Sequence, residues 1–453
     1  MANLLGRTGR GARCWLAAGL WAFFFIAYNA NGREVPTADS QAAKFAAVML
    51  ARHHTLTLDG VVGRQQLYAD RPAFARDRNG HWRNAYPLPP VIEAAAVATV
   101  LQSVGALHLD GRGAPAVVAK LTASLLASLA GLFAFLTARR FCGTAAAALV
   151  ATGFALGTGM WPVASQTLWQ HATAICSAMA AIWLWSAADR PGIGRLLAIG
   201  LLLGWSLSAR PQTAPMIAIL AAGVLSPVSG GRRAAGLLGL IAPIAVFVAL
   251  NLYWFGDPQG GFPGVVRQNQ SVHSVTSIWQ WPWPGMAGLL LSPSRGLLIF
   301  SPIVLAALVA LAARVEPAHR SILRWTAAAA AAQFLIYSSF SVWWGGFTYG
   351  PRYCLDILPA LVPAAAVGAA RLAGASRTVR GVALAALAWS MLTAATGAFC
   401  FPHDNWNSDP ESVDRSHARL WDVRDSQIPR CWSRGLSPQN FALFERASWR
   451  RAQ

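Results

Sequence analysis

The sequence predicts an all-α fold: a polytopic integral membrane protein with about eleven transmembrane helices. Three observations carry this. Only 12% of the 453 residues are charged and 55% are hydrophobic, whereas soluble domains carry about a quarter charged residues. Mean hydropathy is strongly positive, at +0.41. Several mostly apolar windows exceed ~18 residues, the length that crosses a bilayer. The formal net charge of +19 comes mainly from arginine. These arginines stand as pairs and singles between apolar segments, a pattern that fits membrane topology and anionic membrane lipid and gives no reason to expect nucleic acid. The six cysteines have no C-x-x-C spacing, so no zinc or redox motif is present.

The first span, 13–30, follows Arg7, Arg10 and Arg13. It leads into "YNANGREVP", where no small-x-small cleavage pattern appears, so the helix is expected to remain. A polar stretch then reaches the apolar segment "YPLPPVIEAAAVATVLQSVGAL", 86–107. If that segment crossed, Arg139–Arg140, Arg190/Arg195 and Arg232–Arg233 would share a side with the long loops. If it lies at the interface, they join the N-terminal arginines, as do Arg314/Arg320/Arg324 and Arg371/Arg377/Arg380. The bias of basic residues toward the cytoplasm selects the second arrangement. Pro89–Pro90 and Glu93 also oppose a simple span.

The remaining spans are expected at 115–137, 143–160, 167–187, 194–209, 212–228, 235–255, 296–314, 324–344, 353–372 and 381–400. The N-terminus is then cytoplasmic. The chain reads as a transmembrane domain, 1–400, with external loops at 31–112 and 256–295, and an external tail, 401–453. The setting is a bacterial inner (cell) membrane, with the tail periplasmic or external. No internal repeat is visible, which removes the usual sign of an inverted-repeat transporter.

Most unusual residues fall on the external side. Asp39 stands just beyond the first helix, where an acid is costly unless it pairs or works. It also reads as the N-cap of an amphipathic helix, Ser40 to Arg52, which carries Lys44. His171 opens the fourth span, Arg210 ends the fifth, Arg295 opens the eighth within "LSPSRGLLIFSP", and Arg352 opens the tenth within "SVWWGGFTYGPRY". Taken singly, each His or Arg reads as a structural or snorkelling residue. Together, at one membrane face, the arginines and Lys44 can hold an anionic headgroup, bidentately where a guanidinium meets a phosphate. Trp343, Trp344 and Tyr349 lie at the same level, either as an interfacial belt or as platforms for a sugar ring.

In order along the chain, the acid after the first helix, the "YP-x-x-P" segment, "GTGMWPVASQTLWQHA", "LSPSRGLLIFSP" and "WWGGFTYGPRY" resemble the GT-C superfamily of membrane glycosyltransferases, specifically a mannosyltransferase-like or arabinosyltransferase-like bacterial branch. The resemblance covers about residues 13–425. One departure is that relatives carry a Gly-Asp or Asp-Glu pair where this chain has Ala38-Asp39-Ser40; Glu34 is the fallback acid. The resemblance implies a hexosyl- or pentosyltransferase that moves a sugar, with inversion, from a polyprenyl-phosphate donor to a hydroxyl of a glycan, lipid or exported protein at the external face.

In that scheme Asp39 is the general base, and Arg352, with Lys44, Arg210 and Arg295, binds the donor phosphate. His171, Trp343, Trp344 and Tyr349 shape the sugar and acceptor site. No cofactor is expected and no carboxylate cluster demands a metal, although a divalent cation stays open. A glycan polymerase or ligase of the O-antigen type, and a lipid-linked sugar transporter or flippase, are the alternatives. Cys400 ends the last span and Cys431 lies beyond it, where an oxidising compartment would allow a disulfide between them.

Overall fold

The structure is a computed structural model that describes residues 2–188, 190–273, 275–310 and 315–445. Arg314 lies outside them, as do the side chains of Arg7, Arg10 and Arg13. The described chain is almost wholly helical, as the sequence predicts; its only sheet is one two-stranded hairpin.

Helix α1 (Ala2–Asn29) buries Phe24 and Tyr28 and leaves Trp15 and Ile26 exposed. The first loop then forms a layer of its own: α2 (Ala38–His53), α3 (Asp59–Arg64), strands β1 (Phe74–Arg76) and β2 (Trp82–Asn84), and α4 (Pro89–Ser103). Its core joins Ala42, Ala46, Leu58, Phe74 and Val91 to the start of α5 (Ala114–Ala138). The sequence reading had no strand here. The antiparallel hairpin closes on Asp77, which accepts from the backbone N–H of Asn79 and His81 and pairs with Arg83. At 15 residues, α4 is only about 22 Å long, short of a ~30 Å hydrocarbon layer. It packs on α2 and α5. Glu93 on α4 accepts from Thr173 and from the Trp205 indole, and burial pushes its carboxyl up to about 7.

The main bundle follows: α6 (Thr144–Leu156), a π-turn at Met160–Ala164, α7 (Gln170–Ser186), α8 (Ile193–Ala209), α9 (Ala214–Leu225) and α10 (Gly230–Phe255). By length and composition α5, α10 and a later helix, Arg377–Cys400, can each cross a membrane; Trp15–Asn29, Thr144–Leu156, Ile193–Ala209, Pro211–Leu225 and Leu358–Ala373 are shorter apolar helices. Gly200 and Gly204 let α8 lie directly against the backbone of α10, because a Cβ at either would strike the carbonyl of Gly236 or Leu240. On its other side α10 exposes Leu238, Ile241 and Val246, a surface matched to an apolar solvent.

The chain continues through α11 (Phe262–Val272) and α12 (Pro282–Leu291). The expected span at 296–314 is not one helix. It breaks into α13 (Leu297–Phe300), a 3-10 turn at Pro302–Leu305 and α14 (Ala306–Val309), because Pro302 has no N–H to continue the ladder and turns Ser301 out of helical geometry. Helix α15 (Pro317–Ser338) ends before the expected 344, where Phe340 leaves to form a bridge with Trp279. Helices α16 (Leu358–Ala373) and α17 (Arg377–Cys400) complete the bundle. The tail, with α18 (Gln427–Arg434) and α19 (Ala442–Glu445), folds back over one end of it. A disulfide joins Cys400 at the end of α17 to Cys431 in α18.

Candidate active site

The loop layer, the ends of α10 and α11, the Trp343–Tyr353 turn region and the tail enclose a cavity of about 1060 Å³. Asp39 and Arg352 both line it. Thr37, rather than Asp39, caps α2: its hydroxyl accepts from the Ser40 N–H, and Ser40 returns the bond. Asp39 therefore sits in the first turn, where the helix dipole favours a negative charge. The Trp169 indole N–H donates to the Thr37 hydroxyl. The same indole ring lies 4.8 Å from the Arg352 guanidinium, with Tyr353 5.5 Å away on the ring of its own.

Asp39 Oδ1 accepts from the Tyr86 phenol at 2.7 Å, and Oδ2 lies 3.4 Å from Arg352 Nη1. Burial, reinforced by the charge of Asp39, raises the Tyr86 phenol well above its usual range, so it stays a donor. The Asp39 side chain is 39% exposed and that of Arg352 17%. Arg352 Nε is buried with no hydrogen-bond partner among the described residues. Gly345 and Gly346, at φ +76° and +67°, turn the chain beside it without side chains to fill the space.

The other cations expected at the phosphate stand away from the cavity wall. Lys44 is buried against Glu34, at 2.8 and 2.9 Å from its two oxygens, and Thr167 donates to the same carboxylate. Glu34, the fallback acid, is thereby occupied. Arg210 Nε contacts Asp356 Oδ2 at 2.5 Å. His171, expected at the sugar, is buried beside Asp356 Oδ1 at 2.8 Å, and the Tyr337 phenol donates to the same carboxylate. Arg295 is fully buried, donating to the carbonyls of Trp344, Ser294 and Gly346 and to Gln427 and Asn407 of the tail. Burial lowers its guanidinium to about 9, still a cation at neutral pH.

The expected sugar platforms are also inside the protein. Trp343 fills the space against Gly288, the Trp344 indole donates to Asp414, and the Tyr349 phenol donates to the Thr393 carbonyl. The cavity's aromatic wall instead includes Tyr86, Trp169, Trp254, Trp279, Phe340 and Tyr353. Sequence reading missed Asp356, an acid in an apolar run, and the His273–Asp414 pair, 2.8 Å apart, which also lines the cavity. An acid inside an expected span marks a partner by default. The pair His273–Asp414 joins two segments more than a hundred residues apart and leaves no local pattern.

Near the tail, Cys400, Asp404 and Cys431 lie close enough to share an ion, but the two sulfurs are bonded to each other. Among the described residues no other group of three such side chains is gathered.

No family model and no curated protein matches the chain. Its fold is similar to the crystal structure of ArnT from Cupriavidus metallidurans bound to undecaprenyl phosphate, at 15% identity, 93% of this chain, 74% of that one and a TM-score of 0.49. The apo state of the same protein gives 16% identity, 83% and 62% coverage and a TM-score of 0.46. The archaeal oligosaccharyltransferase AglB from Archaeoglobus fulgidus, in complex with an inhibitory peptide and a dolichol-phosphate, gives 10% identity, 92% and 60% coverage and a TM-score of 0.44. The chain thus spans less than two thirds of the length of the last two.

Proposed function

We propose that this chain is a membrane glycosyltransferase of the GT-C type. It moves a hexosyl or pentosyl group, with inversion, from a polyprenyl-phosphate donor to an acceptor hydroxyl at the external membrane face. The single observation that carries the reading is the pairing of Asp39 with Arg352 on the wall of one large aromatic cavity. A carboxylate and a guanidinium facing the same open space, beside apolar walls, are what a lipid-borne phosphate and an incoming hydroxyl need together.

The geometry gives each group a task. At 3.4 Å the Asp39–Arg352 contact is loose, and Arg352 keeps an unused Nε. A donor phosphate therefore takes Arg352 at little cost and frees Asp39 Oδ2. Tyr86 keeps Oδ1 engaged, which orients the carboxylate. The freed oxygen accepts the proton of the attacking hydroxyl, while Arg352 meets the charge that grows on the departing lipid phosphate. Trp169 holds both partners in place through Thr37 and through its ring.

The test is transfer from a synthetic polyprenyl-phosphate sugar by purified variants, with donor binding measured separately. Asp39→Asn keeps the size of the side chain and removes the base. Transfer is expected to fall about 10²–10⁴-fold while donor binding persists. Arg352→Lys keeps the charge, loses the fork, and is expected to weaken donor binding. Near-normal transfer by Asp39→Asn would remove Asp39 as the base.

A further inference from the structure

The charge inventory of the cavity is short. Among its described lining residues, only Arg352 and His273 can be positive, and only Asp39 and Asp414 are acidic. They form two pairs, Asp39 with Arg352 and Asp414 with His273. The other cations that the sequence suggested for the phosphate, Lys44, Arg210 and Arg295, are bound elsewhere.

The two pairs flank one turn. A Cβ on Gly345 would lie 3.4 Å from Arg352 Nε, and one on Gly346 would lie 3.3 Å from His273 Cε1 and 3.7 Å from its Nε2. Adjacent Cα atoms are about 3.8 Å apart, so these two groups stand at most about 14 Å from each other across the glycines. His273 Nδ1 lies 2.8 Å from Asp414 Oδ1, an ion-pair distance outside hydrogen-bond geometry, and the ring stands edge-on to Trp344, whose indole donates to the same Asp414 oxygen. Its side chain is 14% exposed, and Nε2 is the nitrogen nearer the open side of Gly346.

We infer that His273, paired with Asp414 of the tail, is a second group that binds the lipid phosphate, beside the same glycine turn as Arg352. This rests on the donor reading above. Transfer breaks the bond between the anomeric carbon and its phosphate oxygen, and the electron pair stays on that oxygen. The acceptor oxygen forms the new bond and its proton goes to Asp39. The lipid phosphate thus leaves with one more negative charge than it carried in the donor. Arg352 alone supplies one fork; a doubly protonated His273, with Nδ1–H toward Asp414, would supply through Nε2 a second N–H donor and a second positive charge. Asp414 is a positioning residue for it.

The experiment compares binding of a polyprenyl phosphate and of the matching polyprenol to the purified full chain. The wild type is expected to prefer the phosphate. His273→Gln is expected to cut that preference roughly tenfold or more, the size of a lost charge-assisted contact. His273→Lys is expected to restore part of it, and Asp414→Asn to lower it in a chain that still melts cooperatively. If His273→Gln keeps the full preference while Arg352→Lys loses it, this assignment is overturned and the donor reading stands. A His273→Gln chain that loses phosphate and alcohol alike assigns His273 to packing and overturns it too. If the wild type binds both probes equally, the donor reading fails and takes this one with it.

Discussion

At the scale of single residues, the candidate site is decided by which charges already have partners. Type and position suggested Lys44, Arg210 and Arg295 as phosphate contacts, yet each meets carboxylates or carbonyls inside the protein. Arg352 differs in being loosely held and partly exposed to the cavity. The difference is testable at Lys44. Both members of the Lys44–Glu34 pair are buried, so Lys44→Met strands a carboxylate and is expected to cost about 3–5 kcal/mol of stability. Adding Glu34→Gln should recover most of that loss, as read by thermal melting. Polyprenyl-phosphate affinity per folded molecule should stay unchanged in the double variant; a large loss would return Lys44 to the phosphate site.

At the scale of elements, helices were legible and their interruptions only partly so. The apolar windows gave α5, α8, α10 and α17 within a few residues, because a run of apolar residues of bilayer length has few other uses. The break at Ser301–Pro302 was visible in principle, since proline removes a donor, but hydropathy averages over it. The hairpin β1–β2 was missed because three-residue strands carry too short an alternation to register; it is fixed by Asp77 and by docking on α10, where the Arg78 N–H donates to the Trp254 carbonyl and Arg83 lies 4.4 Å from the Trp254 ring. The Cys400–Cys431 disulfide ties α18 to α17, and Asp414 of the same tail lines the cavity. Replacing both cysteines by serine is expected to cost about 2–4 kcal/mol in the order of the tail. Limited proteolysis of 401–445 should quicken, and the donor KM should rise. Equal protease resistance with and without reductant would mean the tail holds without its bridge.

At the scale of the whole molecule, the topology depends on α4. The arginine clusters share one side only if α4 lies along the membrane face. Reporter fusions after Arg140 and Arg233 are expected to read cytoplasm, and a fusion at Gly260 the exterior. The same side for Arg140 and Gly260 would make α4 a crossing segment.

Composition and periodicity by themselves determined that the chain is a helical membrane protein, and where most of its helices run. They also marked Asp39 as an acid that is costly beside the membrane without a use, and Arg352 as one of several external cations. Only the tertiary structure decided which charges are spent on one another. Asp356 gathers His171, Arg210 and Tyr337, and Arg295 gathers the tail, through contacts between residues far apart in sequence. The same holds for the cavity's second pair, His273 with Asp414. A sequence lists the charges a chain owns. Their availability depends on distances of 3 to 4 Å between segments, since a buried charge must be paired wherever the fold brings it a partner.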